Sequence, residues 1–260
     1  MMDESRLGSD DTPPKLYGPW AAIIITLGIY FGSQISAGIL LAIIPSLLRW
    51  TPAQADAWLD SNAWAQFLFV AVAEAITLWL VYKFLKRRQA SFADVGLNKP
   101  KPRHVVHALT GFGLYFVLYI AGLMVATKLW PGLDTEQKQE LGFNTATTGT
   151  TLLPIFVSLV ILPPITEEIV MRGFLYGSLK TKLTPILSAL VASALFAAAH
   201  LGEGGASGLL WIAGIDTFIL SMVLCYVKDK TGSLWPCIGI HMIKNGLAFV
   251  LLFNIVQYLK

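Results

Sequence analysis

Long apolar stretches recur along this chain and favour membrane-spanning helices over any other fold. Hydrophobic residues make up 55% of the 260 residues and charged residues only 13%, whereas soluble domains carry about 25% charged residues. A helix needs about 20 apolar residues to cross a bilayer, and it satisfies its own backbone hydrogen bonds there. We therefore predict an all-α fold, a polytopic transmembrane bundle of about seven to eight spans. The seven predicted spans cover residues 20–48, 63–85, 105–130, 152–176, 185–200, 208–227 and 234–259.

Charges outside the spans predict the orientation and the domain organisation. Lysine and arginine concentrate in the second, fourth and sixth loops, and such loops stay in the cytoplasm. We therefore predict a multi-pass protein of the cell membrane with a cytoplasmic N-terminus. Residues 1–19 lack the features of a cleavable signal peptide and are interpreted as a disordered tail. Residues 20–260 are predicted to form a single transmembrane domain.

Three charged residues, Glu167, Glu168 and Arg172, lie inside the fourth predicted span. An ionisable side chain within a membrane costs about 2.5–3.5 kcal/mol on insertion scales, so it usually has a function or a partner. Pro163 and Pro164 directly precede these charges, and proline interrupts helical hydrogen bonding. We therefore predict a broken helix at Pro163-Pro164, which membranes tolerate where the backbone lines a cavity.

Helical spacing separates the roles predicted for the three charges. Glu168 and Arg172 are four residues apart and share a helix face, so we predict that they pair as structural support. Glu167 lies about 140° from Arg172 around the helix and has no cationic partner in its own segment. A carboxylate left free in this way is suited to general-base chemistry. The alternative is a buried salt-bridge network of all three residues.

Two later spans carry polar groups that could complete a catalytic site. The fifth span ends on His200, and the seventh carries His241 and Asn245 four residues apart on one helix face. One histidine can orient a water molecule, and a converging histidine and asparagine can stabilise an oxyanion. Together with Glu167 as the base, these residues fit peptide-bond hydrolysis. Taken singly, each of them also fits an interhelical hydrogen bond.

These motifs resemble the three signatures of the CPBP family, the CAAX proteases and bacteriocin-processing enzymes. They read Glu167-Glu168-x-x-x-Arg172, Phe196-x-x-x-His200 and His241-x-x-x-Asn245, and the similarity covers residues 150–252, the predicted family core. The resemblance, which includes type II CAAX prenyl endopeptidases, implies an intramembrane endopeptidase. It implies that Glu167 activates water, that His200 assists, and that His241 and Asn245 bind the oxyanion.

The cofactor stays open at this point. The family has also been described as metal-dependent, in which case Glu167, His200 and His241 could be zinc ligands. The chain has no His-Glu-x-x-His segment, so we favour catalysis by the glutamate without a cofactor, with zinc as the alternative.

Two other functions are compatible with the same residues. Intramembrane glutamate and histidine form proton relays in ion-coupled transporters, and a non-catalytic membrane scaffold or immunity protein could keep the family fold. For the protease, the expected partners are the lipid bilayer and a protein or peptide substrate. Membrane tethering and prenylation of that substrate are left open, and no nucleic acid is expected.

Glu74, Asp216 and Lys244 are further charges inside the predicted spans. A charge within lipid is costly unless it is paired, so we interpret all three as structural partners. Lys244 either pairs with Asp216 or extends its amine toward the membrane surface.

Overall fold

Helices build the whole of the described structure, which confirms the predicted all-α bundle. The computed structural model describes residues 16–137, 149–202 and 208–253, and these ranges contain no strand. Eight helices follow one another in them. They are α1 (Pro19–Leu47), α2 (Pro52–Ser61), α3 (Ala63–Arg87), α4 (Pro102–Leu129), α5 (Thr150–Leu179), α6 (Pro185–His200), α7 (Trp211–Thr231) and α8 (Trp235–Leu252).

Six of these helices are long and apolar enough to cross a membrane, namely α1, α3, α4, α5, α7 and α8. The protein is therefore a multi-pass membrane protein, as predicted. The fifth predicted span corresponds to α6, which has 16 residues. At 1.5 Å per residue it is about 24 Å long, shorter than the hydrocarbon core of about 30 Å. Residues 1–15 of the predicted tail, and residues 254–260, lie outside the described residues.

α5 changes its hydrogen-bonding pattern twice along its length. Val157–Ile161 and Ile169–Leu175 form π-helical turns, and the α-helical turns Leu162–Glu168 lie between them. Pro163 and Pro164 stand in the first turn of this middle segment, where a helix needs no amide donors. The helix is therefore continuous, and the predicted break at Pro163-Pro164 takes the form of a change in helix type. Such π-helical turns occur frequently at functional sites.

α5 is the central helix of the bundle. Half of the residues in its most apolar 18-residue stretch are buried. In the corresponding stretches of α1, α3 and α4, only 22, 22 and 17% are buried. Its buried side chains join the main hydrophobic core together with residues of α1, α3 and α6. The outer helices turn most of their apolar surface away from the protein, as expected of helices that face lipid.

Loops that the charge pattern assigns to the same side of the membrane come together in space. Leu16, Asp94, Lys180 and Lys228 line one cavity of about 350 Å³. They come from the N-terminal segment, the α3–α4 loop, the α5–α6 loop and the last turn of α7. Thr135 of the α4–α5 loop and Leu210 of the α6–α7 loop line a different cavity. The grouping agrees with alternating sides, and the cytoplasmic position of the basic side stays a prediction.

The contact between α4 and α8 depends on a glycine. A Cβ atom added to Gly239 would lie 2.9 Å from the Cβ of Ala108, closer than two carbon atoms can pack without displacement. Gly239 stands two residues before His241 on α8. The absent side chain therefore sets how closely α8 approaches α4.

We expect Gly239→Ala to destabilise the protein by about 1–3 kcal/mol, as overpacked substitutions do. The matched control is Gly113→Ala on the exposed face of α4, where an added Cβ meets nothing within 4 Å. That control should be neutral or stabilising by about 0.5–1 kcal/mol, because alanine favours helix. Thermal unfolding of the two purified variants in detergent measures the difference, and equal midpoints would contradict the tight contact.

Candidate active site

One cavity of about 470 Å³ brings together the four predicted catalytic residues. Glu167 enters it from α5, His200 from the end of α6, and His241 and Asn245 from α8. Glu167, His200 and His241 are 33 and 41 residues apart in sequence, so the bundle alone makes them neighbours. The lining also includes Tyr119, Gln137, Leu159, Pro163, Asp216 and Lys244.

Beneath the cavity, Glu168 holds two basic side chains. Its Oε1 accepts a hydrogen bond from Arg172 Nη1 at 3.0 Å and contacts His241 Nδ1 at 2.9 Å. Glu168 and Arg172 are both 0% exposed. The predicted Glu168–Arg172 pair is therefore present. The contact of Glu168 with His241 was not predicted, because these residues are 73 positions apart in sequence and lie on different helices.

Glu167 faces the cavity, with 28% of its side chain exposed. Its Oε2 lies 3.7 Å from His241 Nε2, which is too far for a direct hydrogen bond. The adjacent carboxylates thus have different surroundings, since one is sealed against Arg172 and the other opens to the cavity. A cavity-facing carboxylate can take a proton from a bound water molecule.

Phe196 packs against three of the other motif residues. Its ring meets the His200 ring edge-to-face at a centroid distance of 4.5 Å and the His241 ring at 6.0 Å. The guanidinium carbon of Arg172 lies 4.4 Å from the centroid of the same ring, a cation–π distance. A single aromatic side chain therefore contacts both histidines and the buried arginine, and this explains the phenylalanine in the second motif.

Hydrogen bonds define the tautomers of the two histidines. His200 Nδ1 lies 2.8 Å from the Phe196 carbonyl oxygen, and a carbonyl only accepts. His241 Nδ1 faces the carboxylate oxygen of Glu168 in the same way. We infer that both Nδ1 atoms carry protons, so in the neutral rings both Nε2 atoms are acceptors.

Asn245 is oriented by the backbone of α5. Its Nδ2 donates a hydrogen bond to the carbonyl oxygen of Leu159 at 2.9 Å. Leu159 lies in the first π-helical segment, so the irregular helix supplies the acceptor that fixes the amide. One Nδ2 hydrogen is used in this bond, and an amide nitrogen has two. The orientation is compatible with the predicted role in binding an oxyanion.

Three further charged residues near the site, Glu74, Asp216 and Lys244, are those interpreted above as structural partners. Lys244 Nζ lies 3.0 Å from Asp216 Oδ2, so the pairing alternative is confirmed for Lys244. Glu74 of α3 interacts electrostatically with Glu167. Sequence reasoning located these charges within the spans but had no signal that would place them beside the motif residues.

A zinc site would need three donors within reach of one ion. Among the described residues, no group of three or more His, Cys, Asp or Glu side chains is arranged to hold a metal ion. The set Glu167, His200 and His241 therefore does not fit a metal in this arrangement. Catalysis without a metal stays a prediction.

Comparison with known proteins finds similarity to a protease family over the same region. Residues 149–247 match the family model described as type II CAAX prenyl endopeptidase Rce1-like. This segment contains Glu167, Glu168, Arg172, His200, His241 and Asn245. No solved structure is significantly similar to the chain.

Two curated bacterial proteins are similar to the chain. YyaK of Bacillus subtilis (strain 168), an uncharacterized protein, is 31% identical over 172 residues, which are 65% of this chain and 54% of YyaK. The membrane-embedded CAAX protease MroQ of Staphylococcus aureus (strain USA300) is 27% identical over 180 residues, 66% of this chain and 67% of MroQ. The alignment thus spans about half of the first relative and two thirds of the second.

We expect Glu168→Gln and Arg172→Met each to destabilise the protein by about 3–5 kcal/mol, because each leaves a buried polar partner uncompensated. The double variant should lose much less than the sum of the two. Chemical unfolding in mixed micelles measures this double-mutant cycle. Additive losses would contradict a coupled pair.

The matched control for this cycle is Lys180→Met. Lys180 pairs with Asp229, and these side chains are 36% and 29% exposed. Partly exposed pairs contribute only about 0–1 kcal/mol, so this variant should unfold close to wild type.

Proposed function

We propose that this protein is an intramembrane endopeptidase with Glu167 as the base, and the match of residues 149–247 to the Rce1-like type II CAAX prenyl endopeptidase model supports this. The observation that carries the proposal is the different environment of two adjacent carboxylates. Glu168 is fully buried against Arg172 and His241, whereas Glu167 faces the cavity. One carboxylate is thereby structural and the other is available for chemistry.

The proposed reaction begins with water bound between Glu167 and the substrate carbonyl. Glu167 takes one proton from the water, and the resulting hydroxide oxygen bonds to the carbonyl carbon. The Nδ1 atom of His200 is hydrogen-bonded to a backbone carbonyl. In the proposed reaction, Nε2 of this cavity-lining residue orients the water. The carbonyl π electrons move to the oxygen and form a tetrahedral oxyanion.

Asn245 and His241 are the proposed donors to that oxyanion. Asn245 contributes an Nδ2 hydrogen, and His241 contributes Nε2–H in its protonated form. Glu168 orients the His241 ring through Nδ1, as the carboxylate of a catalytic triad does for its histidine. The proton held by Glu167 then passes to the leaving amide nitrogen, the oxyanion re-forms the carbonyl and the C–N bond breaks. A carboxylic acid and an amine are released, and the acid gives its remaining water-derived proton to Glu167 or to solvent.

The proposed substrate is a protein or peptide held at the membrane. The cavity lies among helices that face lipid on their outer sides, so a tethered chain can reach it from within the bilayer. MroQ is a membrane-embedded CAAX protease, which makes peptides with a prenylated cysteine one class to test. Unmodified membrane-anchored peptides are the other class.

We expect Glu167→Gln to reduce cleavage about 10²–10⁴-fold, the usual contribution of a general base, while the midpoint of thermal unfolding stays unchanged. Peptide products are measured by mass spectrometry in proteoliposomes that contain prenylated and unprenylated membrane peptides. Glu136→Gln is the matched control, because Glu136 is exposed and lies outside the three motifs. Full activity of Glu167→Gln would overturn the proposed role.

Two alternative functions predict different outcomes in the same preparation. A scaffold or immunity protein keeps its cellular function when Glu167, His200 and His241 are replaced together. An ion-coupled transporter shows substrate or proton flux into the liposomes that Glu167→Gln removes, with no new peptide termini.

Metal independence is a separate prediction. We expect the purified enzyme to retain cleavage after treatment with a strong zinc chelator and dialysis, because the proposed steps use side chains alone. Loss of activity that added zinc restores would contradict this and favour Glu167, His200 and His241 as ligands. Unfolding midpoints before and after chelation separate a catalytic effect from a structural one.

A further inference from the structure

A charged cluster lies in the wall of the candidate active-site cavity and has no part in the proposed reaction. Lys244 Nζ lies 3.0 Å from Asp216 Oδ2, and the phenol of Tyr115 donates a 2.5 Å hydrogen bond to Asp216 Oδ1. The three residues come from α8, α7 and α4. Lys244 and Asp216 line the same cavity as Glu167 and His241.

We propose that Lys244 binds a carboxylate of the substrate and so selects peptides that carry one close to the cleaved bond. The inference rests on the proposed endopeptidase function and adds the substrate's chemistry to it. Lysine carries a compact charge on a flexible four-carbon stem, so its amine can move between two acceptors. The Lys244 side chain is 23% exposed and the Asp216 side chain 16%.

Asp216 is the fixed member of the pair. Its two oxygens have different partners, and Tyr115 on Oδ1 remains when Lys244 leaves Oδ2. Tyr115 is only 5% exposed, so the donor side of this hydrogen bond is shielded from solvent. Lys244 can therefore exchange Asp216 for a substrate carboxylate while Asp216 keeps a hydrogen bond.

The position of Lys244 limits where that carboxylate stands in the substrate. His241 and Lys244 are three residues apart on α8, so their Cβ atoms are about 5–6 Å apart on neighbouring parts of the helix surface. An extended peptide advances about 3.3–3.6 Å per residue. A carboxylate held by Lys244 thus belongs to a residue about one to three positions from the cleaved bond.

Two sources of this carboxylate have the same chemistry, namely a free C-terminus and an acidic side chain. The test uses one cleavable membrane peptide from the preceding assay in three forms. The first has a free C-terminal carboxylate, the second a C-terminal carboxamide, and the third a carboxamide with Asp in place of Asn two residues from the cleaved bond. Values of kcat and KM are measured separately for each form.

We expect wild type to prefer one carboxylate form over the neutral form by about tenfold or more, mainly through KM, as one charge-assisted hydrogen bond gives. In Lys244→Gln this ratio should fall to near one, and in Lys244→Arg it should persist. Lys128→Gln, which removes an exposed lysine at the end of α4, is the matched control and should keep the wild-type ratio. The form that is preferred identifies the source of the carboxylate.

Asp216→Asn separates recognition from a structural ion pair. An asparagine still accepts from Tyr115 but competes less for Lys244, so the preference for the carboxylate form should rise. Parallel loss of activity in Lys244→Gln and Asp216→Asn, with no change in the ratio, would indicate a purely structural pair. A wild-type enzyme that cleaves all three peptides equally also overturns the proposal.

Binding gives a readout that does not require cleavage. The three peptides are titrated against Glu167→Gln protein in micelles, with and without Lys244→Gln. A carboxylate preference that depends on Lys244 supports the inference even if wild type cleaves no peptide. Absence of cleavage would count against the protease function only. Equal binding of all forms would refute the role of Lys244.

Discussion

The buried contact among Glu168, Arg172 and His241 organises the functional half of this protein. An arginine with 0% exposure inside a membrane helix is tolerated only with a close carboxylate. Glu168 supplies it one turn away, and the same oxygen also contacts the histidine of α8. The interaction that makes the arginine acceptable in the core therefore also fixes a motif residue of another helix.

The irregularity of α5 serves the same site. The two prolines stand in the first turn of an α-helical segment between π-helical turns, and the first π-helical segment offers the Leu159 carbonyl to Asn245. In a regular α-helix that carbonyl would accept from the backbone nitrogen four residues later, which here belongs to Pro163 and carries no hydrogen. The proline thus leaves the Leu159 carbonyl available as an acceptor between helices, and Asn245 uses it.

The surroundings of the motif residues extend beyond the region that matches the protease family. Tyr115 and Glu74 belong to α4 and α3, whereas the match covers residues 149–247. Tyr115 donates a hydrogen bond to Asp216, and Glu74 interacts electrostatically with Glu167. The N-terminal helices therefore contribute to the electrostatics of the cavity as well as to the packing of the bundle.

The sequence by itself determined the helical fold, most of the spans and the pairing of Glu168 with Arg172. These features depend on apolar length and on the four-residue helical repeat, both of which are local. Only the tertiary structure decided that Glu168 also contacts His241, that Phe196 touches both histidines, and that Lys244 and Asp216 face the catalytic cavity. It also decided that α5 continues through Pro163-Pro164 and that α6 is short. Those contacts depend on how helices distant in sequence approach one another, and no local spacing encodes that approach.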